Sequence, residues 1–387
     1  MKKICVVTGS RAEYGLLTST LRLIESSRDL SLQLVVTGAH LSPEFGNTVD
    51  EIVRDGFKIS RRVKSLSVSR DAAAVGRSIG CGITGIADAL KSLKPDIVMI
   101  LGDRFEIFAA AAAAMSLNIP IAHISGGDVT RYSMDEQIRH AITKMSHIHF
   151  VSLEEHAARV KQMGEEPWRV HVVGEPCIDN IRNLKMMSRQ QVGSLLGLDL
   201  FRRPLMLVTF HPVTLQPNQT SQQIKSLVRA LSMFEGQKIF TYPNADTGGR
   251  TIISEMERFA KNRRDIKVFK SLGTELYLNI LSHADVIIGN SSSALVEAPS
   301  FRLPAVNVGK RQHGRLAPGN VISVSGSTSS IVEGIKKALS GRFRSSIRGM
   351  KNPYDRGGAA KKMVNIISRL ELGGSLLDKK FVEMPRR

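Results

Sequence analysis

Short apolar runs rich in β-branched residues alternate along the chain with longer stretches of helical periodicity. In the first half these runs are KICVVTG, LQLVVTG, DIVMILG, PIAHISGG, IHFVS and RVHVVG. In the second half they are PLMLVTF, KIFTYPN, IKVFKSL, DVIIGNSS, PAVNV and NVISV. Continuous apolar strands separated by amphipathic helices are typical of parallel sheets covered on both faces. The pattern predicts an α/β fold of two Rossmann-like, doubly wound domains, and one eight-fold barrel is the structural alternative.

The boundary between the two domains is predicted between Gly174 and Pro204, where a helical, charged stretch separates two apolar runs. We therefore expect an N-terminal domain over residues 1–180 and a C-terminal domain over residues 181–387. The final helix either stays in the C-terminal domain or returns to the N-terminal one. The apolar run Ile107–Met115 is too short to span a bilayer, and it predicts a helix that is buried on all sides.

Charge adds one feature to this description. The 387 residues include 54 Lys and Arg against 35 Asp and Glu, which leaves a formal net charge of +19. A basic chain attracts anions such as nucleotides, nucleic acid or acidic membranes. No zinc-finger spacing or aromatic RNA-binding motif accompanies the charge. We therefore expect no nucleic-acid partner, and we assign most of the charges to solvated surface.

The cysteines and the first residues indicate the cellular setting. Cys5, Cys81 and Cys177 are widely spaced and show no pairing pattern, which predicts reduced thiols and a cytoplasmic protein. The opening MKKICVVTGS contains too few apolar residues for a signal peptide. We expect no membrane insertion.

Polar residues follow directly after many of the predicted strands, at the sheet edge where open parallel sheets bind ligands. The segments are GSRAEYG (9–15), GDRFE (102–106), SGGD (125–128), TFHPVT (209–214), YPNADTGGR (242–250) and GNSSSALVE (289–297). The first is neither a G-x-G-x-x-G fingerprint nor a Walker loop, which argues against a nicotinamide or flavin, and we expect no cofactor. Its Arg11 offers a forked cation suited to a phosphate, or else forms a surface ion pair.

The segment GNSSSALVE predicts a nucleotide site in the second half. If Ser291 or Ser292 caps the following helix, the hydroxyls and free amides of the first turn bind an anion, and the helix dipole favours a charged diphosphate. Glu297 would lie roughly two turns into that helix, where it can accept hydrogen bonds from ribose hydroxyls. The alternative is a simple capping motif.

Three positions are candidates for proton transfer. Asp103 follows the run DIVMIL directly, and packing does not explain a charge there. A helix is predicted to begin near Asp135, which is either its N-cap or a carboxylate aimed at the cleft. His211 lies between a strand and a proline, and acts as acid, base or phosphate ligand unless it is structural. We expect no metal site, because metal-ligand spacing is not found among the neighbouring histidines His140, His147 and His149.

In their order along the chain, the motifs resemble the hydrolysing UDP-N-acetylglucosamine 2-epimerases, including the enzymes of sialic and legionaminic acid synthesis. The similar segments are GSRAEYG, LVVTGAHLSPEFG, GDRFE, GGDVT, DEQIRHAITKMSH, PNADTGGR and GNSSSALVEAPSFRLPAVNVGKRQHGR. They extend from about Lys2 to Arg315. The resemblance implies a GT-B-like fold, a nucleotide-sugar in the interdomain cleft, and a homodimer or homotetramer.

The resemblance also implies a reaction. The C2 proton is removed while the nucleoside diphosphate leaves C1, and the resulting glycal is hydrated to the free 2-epimeric sugar. The substrate would be UDP-N-acetylglucosamine or a UDP- or GDP-linked N,N'-diacetylbacillosamine. The alternative is a GT-B glycosyltransferase with the same donor. A non-catalytic anion or nucleic-acid binder is suggested by charge alone and leaves the polar strand ends unexplained.

The resemblance assigns roles to individual residues. Arg11 matches a phosphate-binding arginine and Glu297 a ribose-binding glutamate. Ser291 and Ser292 match serines that bind the diphosphate. The full set expected to bind substrate is Arg11, Arg104, Asn244, Ser291, Ser292, Glu297 and Arg311. The residues expected to be catalytic are Asp103, Asp128, Asp135 and His211.

One position departs from the family pattern. Several members have a catalytic glutamate in HIEGGE, where this chain reads HISGGD. Ser125 stands at the position of that glutamate, and Asp128 at the second acidic position. A serine hydroxyl cannot act as a carboxylate base. Either Asp128 or Asp135 takes over the work, or the substrate pocket differs.

Overall fold

A computed structural model describes residues 1–67 and 73–383 of the chain. These residues form two units, each built around its own parallel sheet. Unit 1 consists of Met1–Asp128, Asp135–Asn180 and Tyr354–Arg387, and unit 2 of Val129–Met134 and Ile181–Pro353, as far as their residues are described. The sequence prediction gave residues 181–387 to the second domain, with a return of the final helix as an option. The structure assigns the described chain from Tyr354 onward to unit 1.

The sheet of unit 1 has the strand order β3-β2-β1-β4-β5-β6-β7, and its strands pair in parallel. The strands are β1 (Lys2–Thr8), β2 (Leu30–Thr37), β3 (Ile59–Val63), β4 (Ile97–Leu101), β5 (Ile121–Ile124), β6 (Ile148–Val151) and β7 (Val170–Val172). The apolar runs did not predict β3, whose Arg61 and Arg62 are exposed. Because β3 is an edge strand, it needs no continuous apolar sequence.

The sheet of unit 2 has the order β10-β9-β8-β11-β12-β13, again with parallel pairing. The strands are β8 (Leu205–Thr209), β9 (Gln237–Thr241), β10 (Ile266–Phe269), β11 (Val286–Gly289), β12 (Ala305–Val308) and β13 (Val321–Val324). Each apolar run of the second half forms one of these strands. The prediction of two doubly wound α/β domains is thereby confirmed, and the single barrel is excluded.

Helices connect the strands and cover the sheets. The α-helices are α1 (Arg11–Glu25), α2 (Val49–Arg54), α3 (Ala74–Leu93), α4 (Phe105–Ser116), α5 (Asp135–Met145), α6 (Glu154–Gln162), α7 (Cys177–Arg182), α8 (Arg189–Leu196), α9 (Thr220–Leu231), α10 (Gly249–Ala260), α11 (Gly273–His283), α12 (Ser293–Val296), α13 (Thr328–Leu339), α14 (Gly341–Ser346), α15 (Ala359–Arg369) and α16 (Gly374–Leu377). The described helices include none that is long and apolar enough to cross a membrane.

The two faces of the unit 1 sheet bury separate cores. Ile4 and Val6 of β1 belong to the core that α1 and α15 cover, whereas Cys5 and Val7 belong to the core that α3 and α4 cover. This alternation is the two-residue period of a strand that is buried on both faces. Helix α15 contributes Met363 to the first core, and this buried apolar contact holds the C-terminal segment in unit 1.

Helix α4 contains the apolar run that was expected to be buried on all sides. The alanines of the helix are mostly inaccessible, and Ala109, Ala110 and Ala111 are fully buried. Met115 is 50% exposed, so the prediction is wrong for the last turn of the helix. The small alanine side chains allow α4 to pack closely against α3, where an added Cβ at Gly82 would lie only 2.9 Å from the Cβ of Ala109.

Each sheet has one point where the strand order reverses direction. In unit 1 it lies between β1 and β4, and in unit 2 between β8 and β11. The crevice at the carboxyl ends of such a strand pair is where doubly wound sheets bind ligands. In unit 1 the segments that follow the pair are 9–15 and 102–106, and in unit 2 they are 209–214 and 289–297. All four were selected from the sequence because of their polar residues.

Candidate functional site

The turn from β1 into α1 lies at the reversal point of unit 1. Ser10 is the N-cap of α1 in an extended conformation, and its side chain makes no capping hydrogen bond. Its buried Oγ has no hydrogen-bond partner among the described residues. Arg11 is the first residue of the helix, and its side chain is partly exposed. The start of this 15-residue helix thus combines a guanidinium with a buried hydroxyl, as an anion site requires.

Two buried glutamates lie beneath this turn. Glu13 accepts a 2.7 Å hydrogen bond from the Gly9 amide. Glu106 packs so closely against Gly9 that an added Cβ there would lie 2.6 Å from the Cβ of Glu106, so a larger residue does not fit. Burial, and secondly the charge of Glu106, raise the pKa of Glu13 to about 8. Arg104 was expected to bind substrate; it is buried, and its Nε lies 3.4 Å from Glu106.

Asp103 and Asp128 are joined through a buried arginine that sequence analysis did not select. Arg139 of α5 donates from Nη2 to the Asp103 carboxylate and from Nη1 to the Asp128 backbone carbonyl, the latter at 3.0 Å. Arg139 is only 1% exposed. Its Nη1 also lies 3.0 Å from Glu136. A planar guanidinium can serve several acceptors at fixed angles, so it holds Asp103 in one orientation.

The remaining unit 1 candidates lie at the start of α5 and just before it. Asp135 is buried and is the first residue of α5, which confirms the predicted helix start. It stands inside the helix and is not its N-cap. Asp128 is also buried, and its Oδ1 lies 3.5 Å from Nε2 of His156. Asp128 lies between β5 and α5 and Asp135 begins α5, so both follow the carboxyl end of a strand, as Asp103 does.

His123 is a second residue that sequence analysis missed. Its Nε2 lies 2.8 Å from the Gly102 carbonyl, directly before Asp103, and its Nδ1 lies 3.2 Å from Thr143. Burial lowers the pKa of His123 to about 3, so the ring is neutral. Its hydrogen bond to the Gly102 carbonyl stabilises the turn that carries Asp103. No local signal could have revealed it, because His123 lies inside an apolar strand.

In unit 2, His211 follows β8 and Asn290 follows β11. The His211 amide donates to Asn290 Oδ1 at 2.7 Å, and Asn290 Nδ2 donates to the His211 carbonyl at 2.8 Å. The Asn244 amide donates to Nδ1 of His211 at 3.2 Å. Nδ1 is therefore an acceptor, and a neutral His211 carries its proton on Nε2. Asn244 thus orients the histidine through its backbone.

The serine segment after β11 differs from its predicted form. Helix α12 covers only Ser293–Val296, and Glu297 follows as its C-cap, so the predicted position roughly two turns into a helix is wrong. Ser292 is the N-cap but its side chain makes no capping hydrogen bond, whereas the Ser291 hydroxyl accepts one from the Ser293 amide at 3.3 Å. Four residues are too few for a strong helix dipole. Pro299 contributes to the early end of α12, because proline has no backbone N–H to donate to a helical hydrogen bond.

Arg311 lies beside these serines. Its Nη1 donates to the Asn290 carbonyl at 3.2 Å, and Gln312 donates to the same carbonyl at 2.8 Å. Gly289, with φ of 138°, allows the end of β11 to lie close to the end of β8, because an added Cβ would lie 2.0 Å from the Thr209 carbonyl oxygen. The cationic group near Ser291 is therefore a side chain from the segment after β12. Sequence order alone could not bring it there.

The other histidines considered for metal binding have protein partners. His147 accepts a hydrogen bond from the Ile121 amide at 3.1 Å, His149 lies 3.0 Å from Glu165, and His140 lies 3.2 Å from Glu136. Within residues 1–67 and 73–383, no group of three or more His, Cys, Asp or Glu side chains is arranged to hold a metal ion.

Comparison with known proteins places these observations in a family. A family model described as UDP-N-acetylglucosamine 2-epimerase matches residues 22–368. The GDP/UDP-N,N'-diacetylbacillosamine 2-epimerase (hydrolyzing) of Campylobacter jejuni is 40% identical over 323 residues, which covers 83% of this chain and 84% of that protein. The UDP-N,N'-diacetylbacillosamine 2-epimerase (hydrolyzing) of Legionella pneumophila is 35% identical over 379 residues, covering 98% and 99%.

A solved structure extends the comparison to the fold. The UDP-GlcNAc 2-epimerase from Neisseria meningitidis, in a crystal structure bound to UDP-GlcNAc, superposes with a TM-score of 0.77 at 19% identity. The match covers 94% of this chain and 99% of that chain. This chain and that enzyme therefore share a GT-B-like fold with two doubly wound units.

Proposed function

Since the chain belongs to the UDP-N-acetylglucosamine 2-epimerase family, we propose that it is a hydrolysing nucleotide-sugar 2-epimerase. The observation that carries the proposal is its 35% identity to a hydrolysing 2-epimerase over 98% of the chain. A likeness of that extent includes both units, together with the polar segments that follow β1, β4, β8 and β11. Fold alone would not separate an epimerase from a glycosyltransferase.

The proposed reaction has two steps. In the first, a carboxylate takes the C2 proton, the C2–H electron pair forms a C1=C2 double bond, and the C1–O bond breaks with its pair going to the nucleoside diphosphate. In the second, water adds its oxygen to C1, and a proton is delivered to C2 from the opposite face. The sum is nucleotide-sugar plus water giving free 2-epimeric sugar plus nucleoside diphosphate. No redox partner is needed.

The two units would divide this work. The C2 hydrogen is not acidic, so stabilisation of the departing diphosphate has to supply most of the driving force. In unit 2, Ser291, Ser292 and Arg311 would bind the diphosphate and Glu297 the ribose. In unit 1, Arg11 would bind a phosphate. With α12 too short for a strong dipole, the cationic and hydroxyl side chains carry this stabilisation.

Proton transfer would fall to the unit 1 carboxylates and to His211. Asp103, Asp128 and Asp135 are buried or nearly buried at one edge of one sheet. Carboxylates that share one site divide into one that holds a proton and one that does not, so two of these three would provide an acid and a base. His211, with its proton on Nε2, would act as a hydrogen-bond donor to the leaving group.

For the sugar, we propose UDP- or GDP-linked N,N'-diacetylbacillosamine, because both relatives described above are named for that substrate. UDP-N-acetylglucosamine is the second candidate, supported by the description of the family model. The product would then serve legionaminic or sialic acid synthesis. A homodimer or homotetramer remains part of the proposal, and light scattering would measure its mass.

The experiment is turnover of a panel of UDP- and GDP-sugars in D2O, followed by NMR of the product. We expect deuterium at C2, inverted configuration there, and one nucleoside diphosphate released per sugar. In H2(18)O the label should enter C1 of the sugar and not the diphosphate. Retention of the C2 proton would exclude elimination, and an epimer still attached to the nucleotide would assign the protein to the non-hydrolysing epimerases.

A further inference from the structure

Three side chains meet across the ends of three neighbouring strands of unit 1. Ser125 follows β5, Ser152 follows β6, and Glu175 lies shortly after β7. The Ser125 Oγ lies 3.1 and 3.2 Å from the two carboxylate oxygens of Glu175. The Ser152 hydroxyl donates to Oε1 of the same carboxylate. A glutamate thus reaches across the end of β6 to the residue that departs from the family pattern.

The backbone at Glu175 is positioned without its carboxylate. The Glu175 backbone is held by its own hydrogen bonds, from its amide to the Tyr354 carbonyl at 3.1 Å and from the Ile178 amide to its carbonyl at 3.1 Å. Glu175 is only 9% exposed, and burial of a carboxylate opposes folding unless donors surround it. This buried carboxylate contacts the residue that departs from the family pattern, which makes it a candidate for the proton transfer that Ser125 cannot perform.

The turn that carries Ser125 is held rigidly next to the candidate carboxylates. Ser125 has a left-handed backbone, with φ of 65°, and its amide donates to the Phe150 carbonyl at 2.8 Å. Gly127 follows where an added Cβ would lie 2.4 Å from the His156 carbonyl oxygen, and Asp128 comes next. Because this turn cannot shift easily, Ser125 has a defined position. The Glu175 carboxylate is therefore bound to the same turn that carries Asp128.

We propose that Glu175 supplies the carboxylate that position 125 lacks and is the base that removes the C2 proton. The inference rests on the proposed function. In the elimination, the C2–H proton passes to Glu175, the bonding pair forms the C1=C2 double bond, and the C1–O pair leaves with the nucleoside diphosphate. Two hydroxyl donors on one carboxylate stabilise its anionic form, which is the form that a base requires. Ser125 then positions the base by donating a hydrogen bond to the Glu175 carboxylate.

The first test is Glu175→Gln, which keeps the size and the acceptor for Ser125 but cannot take a proton. We expect kcat to fall by about 10²-fold or more. The rise in melting temperature on adding UDP or GDP should stay the same, because Glu175 is not among the residues assigned to the nucleotide, which are Arg11 in unit 1 and Ser291, Ser292, Glu297 and Arg311 in unit 2. A kcat within about threefold of wild type would overturn the inference.

The second test moves the carboxylate back. In Ser125→Glu/Glu175→Ala the glutamate returns to position 125, and kcat should recover by about tenfold or more over Glu175→Ala alone. A folded double variant without recovery would make Glu175 a support for the turn and overturn its role as base. For a double variant that does not fold, the pH profile of Glu175→Gln decides. Loss of the acidic limb of kcat supports the base, and an unchanged profile overturns it.

The matched control is Glu165→Gln. Glu165 is another buried glutamate of unit 1, hydrogen-bonded to His149 at 3.0 Å and to Lys144 at 2.6 Å. We expect its loss to lower the melting temperature while kcat of the folded protein stays within about twofold of wild type. An equal fall in kcat for both variants would count against a specific role of Glu175. Wild-type protein that releases no diphosphate from any sugar nucleotide would refute the proposed function, whereas an active wild type with an active Glu175→Gln refutes only this inference.

Discussion

Asn290 and His211 exchange two hydrogen bonds, one from the His211 amide at 2.7 Å and one back to the His211 carbonyl at 2.8 Å. Asn290 is fully buried, and its own carbonyl accepts from Arg311 and Gln312. One asparagine therefore ties the segment after β8 to the segment after β11, at the point where the strand order of unit 2 reverses. His211, the candidate proton donor, is held by the Asn290 side chain. Arg311, the candidate anion-binding arginine, is held by the Asn290 backbone carbonyl.

Asn290→Ala should lower the free energy of unfolding by about 2–3 kcal/mol, because two buried backbone groups of His211 lose their partners. Turnover should fall as well, since the His211 ring is no longer held in place. Urea denaturation and diphosphate release measure the two effects. Asn365→Ala, at an exposed position of α15, is the control and should change stability by no more than about 0.5 kcal/mol. An equal effect of both variants would contradict the role of Asn290.

Arg139→Met should destabilise unit 1 by about 3 kcal/mol, because it leaves the Asp103 carboxylate and the Asp128 carbonyl without their buried donor. Arg139→Lys should restore only part of the loss, since an ammonium lacks the planar fork that reaches both acceptors. Chemical denaturation measures the stability of the three proteins, which should decrease from wild type to Arg139→Lys to Arg139→Met. Arg258→Met, with a side chain 68% exposed, is the control. A lysine variant as stable as wild type would show that charge alone suffices.

Asp103→Asn, Asp128→Asn, Asp135→Asn and His211→Ala should reduce kcat, with a fall of about 10²-fold or more expected for Asp103, Asp135 and His211. Single-turnover assays in D2O separate their roles, because a variant blocked in the first step releases no diphosphate. A variant blocked in hydration releases diphosphate and accumulates the glycal. Normal turnover in Asp103→Asn, Asp135→Asn and His211→Ala would remove this site from consideration.

UDP or GDP should raise the melting temperature in the presence of EDTA, because the candidate diphosphate ligands are hydroxyls and guanidinium groups. Glu297→Ala should weaken this rise for the nucleotide more than for pyrophosphate, since the carboxylate is assigned to the ribose. Scanning fluorimetry with both ligands provides the comparison. Stabilisation that needs a divalent ion would contradict the assignment.

Glu13 should make stability depend on pH. Its folded pKa of about 8 lies above its ordinary value of 4.5, so the folded protein holds a proton that the unfolded chain has lost at intermediate pH. Its contribution is complete below the ordinary value and is lost as pH rises through about 8, with a slope of at most about 1.4 kcal/mol per pH unit. Glu13→Gln should therefore flatten the stability curve between about pH 5 and 8. Parallel curves for the two proteins would contradict the buried, protonated carboxyl.

Most of the strands, and the α/β class, followed from the local pattern of apolar residues. Runs such as DIVMIL and PLMLVTF became buried central strands, because a strand covered on both faces needs apolar residues throughout. The polar segments after β1, β4, β8 and β11 could be selected for the same reason, since packing does not account for them. Strand β3 escaped detection because an edge strand with exposed Arg61 and Arg62 has no such run.

Contacts between distant side chains could not be predicted from that pattern. Ser125 and Glu175 are 50 residues apart and His211 and Asn290 are 79 apart, yet each pair is joined by hydrogen bonds. Arg139 lies inside a helix and His123 inside a strand. The residues around them in sequence give no sign that both support the Asp103 turn. Hydrophobic periodicity is a property of neighbouring residues, so it specifies where a strand begins and ends. A hydrogen bond between two strand ends depends on the order of strands in the sheet, and that order is set by packing of the whole unit.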